Sequence, residues 1–290
     1  MNVQVMVQIP NTRRKAILIA GPTASGKSAL AVALARGLGG VVVNADSMQV
    51  YDGLRVLTAR PSDEELAQAP HALYGHVAPS QAYSVAQWLA NVARVLGEAR
   101  AAGQIPIIVG GTGLYFKALL DGLSPVPPVP ADVRTYWRTE AARLGAPALH
   151  AVLAVRDPVM AGRLLPTDPQ RIVRALEVMD ATGRSLADWH AMTGTPLLRT
   201  SGAHCICLRP SRAWLQSRCD RRFDLMMAGG ALDEVRGLAR LDLDPRLPVM
   251  SALGVRPMLR HLQGGCTLEQ AVIDGKAETR RYVKRQETWF

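Results

Sequence analysis

An α/β fold, a parallel sheet with helices on both faces and an α-helical insertion, is what the chain predicts. Three observations predict it. Short, fully apolar runs at 16–20, 41–43 and 105–109 alternate with helical stretches. Strands apolar on both faces are buried on both, as in parallel sheets whose crossover connections are helices. Each run ends in small or polar residues: Gly21 after the first, Asn44-Ala45-Asp46 after the second, Gly110-Gly111-Thr112-Gly113 after the third. Ligands of such sheets bind at strand carboxyl ends, so one shared site is expected there. The third observation is a change of texture at Ser124: SPVPPVPAD is a proline-rich hinge, and 131–190 then reads as helix only.

The elements follow in order. Residues 27–38 carry Leu30, Leu34 and Leu38 on one helical face. Residues 84–102 place Val85, Trp88, Leu89, Val92 and Leu96 at helical spacing, with Ser84 as N-cap and Gly103 as stop. A helix restarts over 114–121. In the insertion, DPQRIVRALEVMDATG opens with Asp168 as cap and Pro169 in the first turn and closes at Gly183. HCICLRP, 204–210, reads as a strand returning to the core, followed by helices 211–229 and 231–240 and a basic terminal helix ETRRYVKRQETWF. The expected domains are therefore 1–123 (first part of the core), 124–195 (insertion) and 196–290 (return to the core and the basic helices).

Residues 21–28, GPTASGKS, match G-x-x-x-x-G-K-[ST] between a buried strand and a helix. Gly21 and Gly26 let the backbone curl so that the N–H groups of Gly21, Pro22, Thr23, Ala24, Ser25 and Gly26 (Pro22 excepted) turn toward anionic oxygens. The following helix adds the positive end of its dipole. Lys27 can reach the outer phosphate, and the Ser28 hydroxyl can join the shell of a Mg²⁺ that keeps several waters. The core is thus P-loop NTPase-like and holds a diphosphate; the loop alone does not say which.

Composition bounds the partners. The formal net charge is +10, and from Arg209 onward 15 basic residues face 10 acidic ones. Such a surplus favours a polyanion. The four cysteines, Cys205, Cys207, Cys219 and Cys266, form no C-x-x-C, and Cys205 and Cys207 are expected to share one strand face as small apolar residues. No zinc spacing is present. The opening MNVQVMVQIPNTRRK lacks a long apolar stretch, so no secretory leader is expected. No run reaches membrane-spanning length, and a cytoplasmic location is expected.

Several residues can carry chemistry. Asp46 ends the second strand, where a carboxylate can hold Mg²⁺ through water or take a proton from the nucleophile. Thr112 can donate to a diphosphate oxygen or cap the next helix. Arg218, Arg221 and Arg222 fall near one helical face, and a guanidinium there can clamp a leaving diphosphate or simply be solvated. Arg280, Arg281, Lys284 and Arg285 form like-charge i, i+4 pairs that a polyanion would relieve, with Tyr282 and Trp289 interleaved. Gln170, Arg171 and Arg174 repeat the theme. No N-K-x-D motif appears and no Glu follows Asp46, which favours a transferase over a signalling GTPase or a motor.

Taken together, GPTASGKS, NADSMQVY, LTARP, PSQAYSVAQW, IPIIVGGTGLYFKALLDGLSP, DPQRIVRALEV, RRFDLMMAGG and TRRYVKRQETW resemble, in order, the motifs of the tRNA dimethylallyltransferases. The resemblance runs from about residue 15 to the end. It implies dimethylallyl diphosphate in the loop, transfer of the dimethylallyl group to N6 of the adenosine 3′ of the anticodon, and no obligate protein partner. Asp46 would be the base, Thr112 the donor to the bridging oxygen and Arg222 a diphosphate clamp. Asp46, Ser47, Met48, Gln49, Thr112, Arg134, Gln170, Arg171, Ile172, Val173, Arg174, Arg256, Arg281, Lys284 and Arg285 would meet the tRNA anticodon stem-loop. SALGVRP departs from the family pattern at Val255 and Pro257.

Three rivals stand beside this reading. A small-molecule P-loop kinase leaves the basic tail and the hinged insertion unexplained. An adenine-nucleotide prenyltransferase needs neither feature. A non-catalytic RNA-binding protein has no use for intact Lys27, Ser28, Asp46 and Thr112.

Overall fold

The computed structural model describes residues 16–290, and the opening segment read above as free of a secretory leader lies outside them. The chain forms two compact units, one holding the chain up to Leu120 together with Leu197–Phe290, the other Asp121–Pro196. In the first unit, β1 (Ala16–Ala20) leads into α1 (Lys27–Leu38) and β2 (Gly40–Asn44). Then come α2 (Asp63–Gln68), β3 (His71–Ala72), α3 (Val85–Ala101), β4 (Ile105–Gly110) and α4 (Gly113–Asp121). The second unit contains α5 (Ala131–Leu144), α6 (Ala146–Arg156), α7 (Pro158–Ala161), α8 (Pro169–Thr182) and α9 (Leu186–Ala191). The chain re-enters the first unit as β5 (Ala203–Cys207), α10 (Arg212–Ala228), α11 (Ala231–Ala239), α12 (Val255–Leu262) and α13 (Leu268–Trp289).

The five strands pair in the order β3-β2-β4-β1-β5, all parallel. Alternation along the strands fills both faces, as the apolar runs require. Leu18, Val43 and Ile108 pack with Trp88 and Val92 of α3 and Leu119 of α4. Ile17, Ile19, Val42, Ile107 and Val109 pack with Ala31 and Ala35 of α1 on the opposite face. A third cluster joins Val50, Tyr51, Leu54 and Leu57 to Phe223, Val235, Val255 and Met258 of the C-terminal helices. Val255 of α12 belongs to this cluster, and Pro257 of the same helix is buried as well.

Local signals explain the helix boundaries. Ser84 caps α3 in a capping box with Gln87, and α8 starts with Asp168 accepting from the Arg171 N–H and ends at left-handed Gly183. In the second unit, Ile172, Ala175, Leu176 and Val178 of α8 pack on Trp137, Leu149 and Leu153.

Two expectations need correction here. The returning strand ends at Cys207, so 208–210 lie beyond the sheet. Cys205 and Cys207 do share a face, but β5 is the sheet edge and both are exposed, not core. No described helix is long and apolar enough to cross a membrane.

Candidate active site at the strand carboxyl ends

The loop between β1 and α1 has the geometry that its glycine pattern demands. Gly26 sits at the N-cap of α1 with φ 94°, a left-handed conformation that favours glycine. Ala24 is also left-handed, at φ 65°, a strain that a non-glycine residue adopts where the surrounding structure imposes it. The loop is tied by Ser25 N–H donating to Pro22 O at 3.3 Å, and Arg218 Nε on α10 donates to Ala24 O at 3.1 Å. Lys27 Nζ donates to Pro22 O at 2.5 Å. The Ser25 hydroxyl is buried and has no hydrogen-bond partner among the described residues. It lines the cleft as an unspent polar group, fit for an incoming oxygen.

The loop walls a cleft of about 550 Å³ inside the first unit. Lys27, Arg60, Arg218, Arg221 and Arg222 line it, against the two carboxylates Asp46 and Glu65. Burial pulls the Lys27 ammonium down to about 8; the Asp46 carboxylate pushes the other way and the Arg222 charge adds to the depression. Burial likewise lowers Arg222, opposed by Cys219 and Asp46. Desolvated cations with so little counter-charge make an anion site.

Asp46 is held at the end of β2 by a small network. Buried Asn44 accepts from the Asp46 N–H at 2.8 Å and donates to Asp46 O at 2.9 Å and Leu73 O at 3.0 Å. The Asp46 Oδ1 accepts from the Met48 N–H at 2.9 Å and the Gln49 N–H at 3.4 Å. Asp46 therefore caps a turn through one oxygen and also lines the cleft. Gln49 lines the cleft too, and its Nε2 donates to Thr58 O and Ala59 O at 2.9 Å each.

Thr112 stands outside the lining residues, which include Gly110 and Gly111 instead. Its Oγ1 accepts from the Ser47 N–H at 3.0 Å and so joins the two loops that follow β2 and β4. Met48 packs on the third core cluster.

Other expected RNA contacts divide in the same way. Arg134, Gln170 and Arg171 are exposed in the second unit, Arg171 pairing with Asp168 at 3.4 Å. Arg174 pairs with Glu177 at 3.5 Å, and Val173 backs the helical core. Ile172 is corrected: at 0% exposure its side chain belongs to that core and meets no ligand. Arg256, Arg281, Lys284 and Arg285 are exposed. The expectation for Arg280 also changes. It donates to both oxygens of Asp220, at 2.8 and 2.9 Å, so its charge docks α13 on α10.

Sequence reasoning missed the residues that shape the cleft from behind. Gln286 is buried on α13 in the stripe Ala271, Gly275, Thr279, Val283, Gln286, a helical period hidden beneath the charged residues. Glu234, on α11, accepts from the Arg55, Val56 and Leu57 N–H groups at 2.8, 2.7 and 2.9 Å. That clasp holds the loop bearing Thr58, Ala59 and Arg60, all cleft residues. Glu234→Ala leaves three amides without their acceptor and is expected to cost about 2–4 kcal/mol in urea unfolding. A loss below about 0.5 kcal/mol would show that the loop holds itself.

With this geometry in view, comparisons with known proteins agree. The family model described as IPP transferase matches residues 49–290, and that described as Isopentenyl transferase matches residues 14–74. A tRNA dimethylallyltransferase of Parvibaculum lavamentivorans is 55% identical over 276 residues, 95% of this chain and 87% of the relative. The crystal structure of the tRNA isopentenylpyrophosphate transferase from Bacillus halodurans aligns at TM-score 0.67 and 34% identity, covering 96% of this chain and 87% of that one. A eukaryotic dimethylallyltransferase solved acting on tRNA aligns at TM-score 0.80 and 28% identity, covering 94% of this chain and 69% of that one. A P-loop core, a cationic cleft with a single network-held aspartate, and matches over nearly the whole length place the chain in the IPP transferase family.

Proposed function

We propose that this chain transfers a dimethylallyl group from dimethylallyl diphosphate to the exocyclic N6 amine of the adenosine 3′-adjacent to the anticodon in tRNA, releasing diphosphate. The observation that carries the reading is the cleft: a phosphate loop and five cationic side chains around Asp46. Cleavage of the allylic C–O bond places growing negative charge on the diphosphate. Lys27, the loop N–H groups and Arg222 are set to neutralise it in a desolvated cleft. The new C–N bond makes the N6 amine acidic, and Asp46 accepts its proton. The Thr112 hydroxyl, now turned to Ser47, would donate to the bridging oxygen once substrate is present.

Mg²⁺ fits this donor set. Among the described residues no cluster of three or more His, Cys, Asp or Glu is poised for a metal, but Mg²⁺ characteristically takes one or two protein oxygens, several waters and substrate phosphates. Ser28, exposed in the first turn of α1, would supply the hydroxyl and Asp46 a water-mediated carboxylate. The ion would add charge stabilisation at the leaving group.

The adenosine must leave its stack to enter the cleft, at a cost of about a few kcal/mol. Contacts to the RNA backbone from the exposed Arg281, Lys284 and Arg285 of α13, and from Arg134, Gln170 and Arg171 of the helical unit, offset it. A cytoplasmic location follows from this substrate. Incubation with labelled dimethylallyl diphosphate, Mg²⁺ and unmodified tRNA, then nucleoside digestion, should yield N6-prenylated adenosine; label appearing only in free adenine nucleotides would overturn the reading. Replacing Arg281, Lys284 and Arg285 together by Gln should weaken tRNA binding and reduce its log–log salt slope by roughly 2–3. An unchanged slope would assign that face of α13 to structure.

A further inference from the structure

We infer that Gln286 is a positioning residue for the phosphate loop, an inference that rests on the prenyl-transfer reading for its kinetic consequence. Its side chain is 2% exposed and both ends of its amide are used. Oε1 accepts from the Thr23 N–H at 2.8 Å, and Nε2 donates to Gly111 O at 2.9 Å. Thr23 follows β1 and Gly111 follows β4, two strands paired in parallel with Ala20 opposite Gly110. One amide therefore staples two neighbouring strand-end loops, both of which line the cleft.

The chemistry of the two partners selects this side chain. Thr23 presents a donor and Gly111 an acceptor, so the bridging group must accept at one atom and donate at the other. A glutamine does so at any pH; a glutamate does so only when protonated; a methionine of similar length does neither. The close fit is visible from the other side, because a Cβ at Gly111 would lie 2.1 Å from Gln286 Nε2. The helix that brings Gln286 here is itself anchored, by Arg280 on Asp220 and by Phe290 against the Phe116 ring at 6.0 Å.

Two consequences follow. The Thr23 N–H is occupied by Gln286 and is not a diphosphate donor; the anion is left to the amides further along the loop, the Ser25 hydroxyl and Lys27. And the path of the loop from Thr23 onward, including the strained Ala24, is set by a residue 263 positions away in the chain.

The test uses Gln286→Glu and Gln286→Met in the full chain. Binding of inorganic diphosphate is measured by calorimetry at one fixed pH, and prenyl transfer to tRNA is followed from about pH 8 to about pH 5.5, always as a ratio to wild type at the same pH. At about pH 8 both variants should bind diphosphate and turn over at least about tenfold less well, because a buried donor, acceptor or both go unmet. Toward acid pH the Glu variant should recover relative to wild type as its carboxyl protonates and donates to Gly111, and the Met variant should not. Wild-type diphosphate affinity in both variants, or a Glu-to-wild-type ratio that stays flat with pH, would overturn the inference. Should the Met variant fail to fold, the pH course of the Glu ratio decides alone. A wild-type protein that binds diphosphate in a Gln286-dependent way yet transfers no prenyl group would sink the function and spare the staple. A transferring wild type with unaffected variants would do the reverse.

Discussion

Asp46→Asn is expected to lower prenyl transfer by about 10²–10⁴-fold while leaving the fold and tRNA affinity near wild type. The choice of Asn follows from the network. Asp46 Oδ1 holds the turn by accepting from the Met48 and Gln49 N–H groups, and an amide oxygen can still do that. What the amide cannot do is take a proton from the adenine amine. Asp46→Ala removes both roles and should show a comparable loss of turnover with an added loss of stability of about 1 kcal/mol, since the turn amides then lose their acceptor. The comparison separates chemistry from scaffolding. If the Asn variant turns over within about threefold of wild type, Asp46 is not the base, and its place at the cleft would be that of a turn cap alone. If the Asn variant loses tRNA binding in proportion to turnover, the carboxylate acts in recognition and not in proton transfer.

Much of this site could be read from the chain, and the reason is locality. The phosphate loop, the Ser84 capping box and the Asp168-Pro169…Gly183 helix are set by residues within a few positions of one another. The parallel sheet was legible because its strands are apolar on both faces. The two-residue β3 was not: His71 and Ala72 carry no periodic signal and are strand only because they pair with Val42 and Val43. The exposure of Cys205 and Cys207 depends on β5 being an edge, which a strand cannot announce by itself. The same limit governs the charged residues. Arg280 and Arg281 are neighbours with the same charge, but only Arg280 meets Asp220, 60 residues away. Glu234 reaches the Arg55 amide across 179 residues. A charged or amide side chain buried by a distant partner looks, in sequence, like one facing solvent. Ile172 shows the converse: it lies inside a run of expected RNA-contact residues, yet the helical period turns it inward.

Lys27 should make donor binding fall with rising pH well below the range in which a simple surface lysine loses its charge. Burial places its pKa at about 8 in the free protein, against an ordinary 10.5. The unfolded chain then binds the proton more tightly, so between about pH 8 and 10.5 the stability of the ligand-free protein should rise with pH, by at most about 1.4 kcal/mol per unit. Below about pH 8 the charged, desolvated ammonium is a standing cost to the fold. A bound diphosphate inverts the balance, because its oxygens supply the counter-charge that the cleft lacks and raise the Lys27 pKa again. Binding must therefore take up a proton once the free lysine is neutral. Dimethylallyl diphosphate, whose terminal phosphate is already fully ionised in this range, should lose affinity above about pH 8 by up to about tenfold per unit. Calorimetry in two buffers of different ionisation enthalpy would register that proton directly. Lys27→Met should bind the donor weakly at every pH, abolish the uptake and lower turnover by about 10²–10³-fold, since the leaving group then loses one of the cations that line the cleft. A wild-type affinity that is flat from about pH 7 to 9, or a Met variant with the same slope, would mean that the ammonium stays charged throughout and that the cleft, not the diphosphate, already neutralises it.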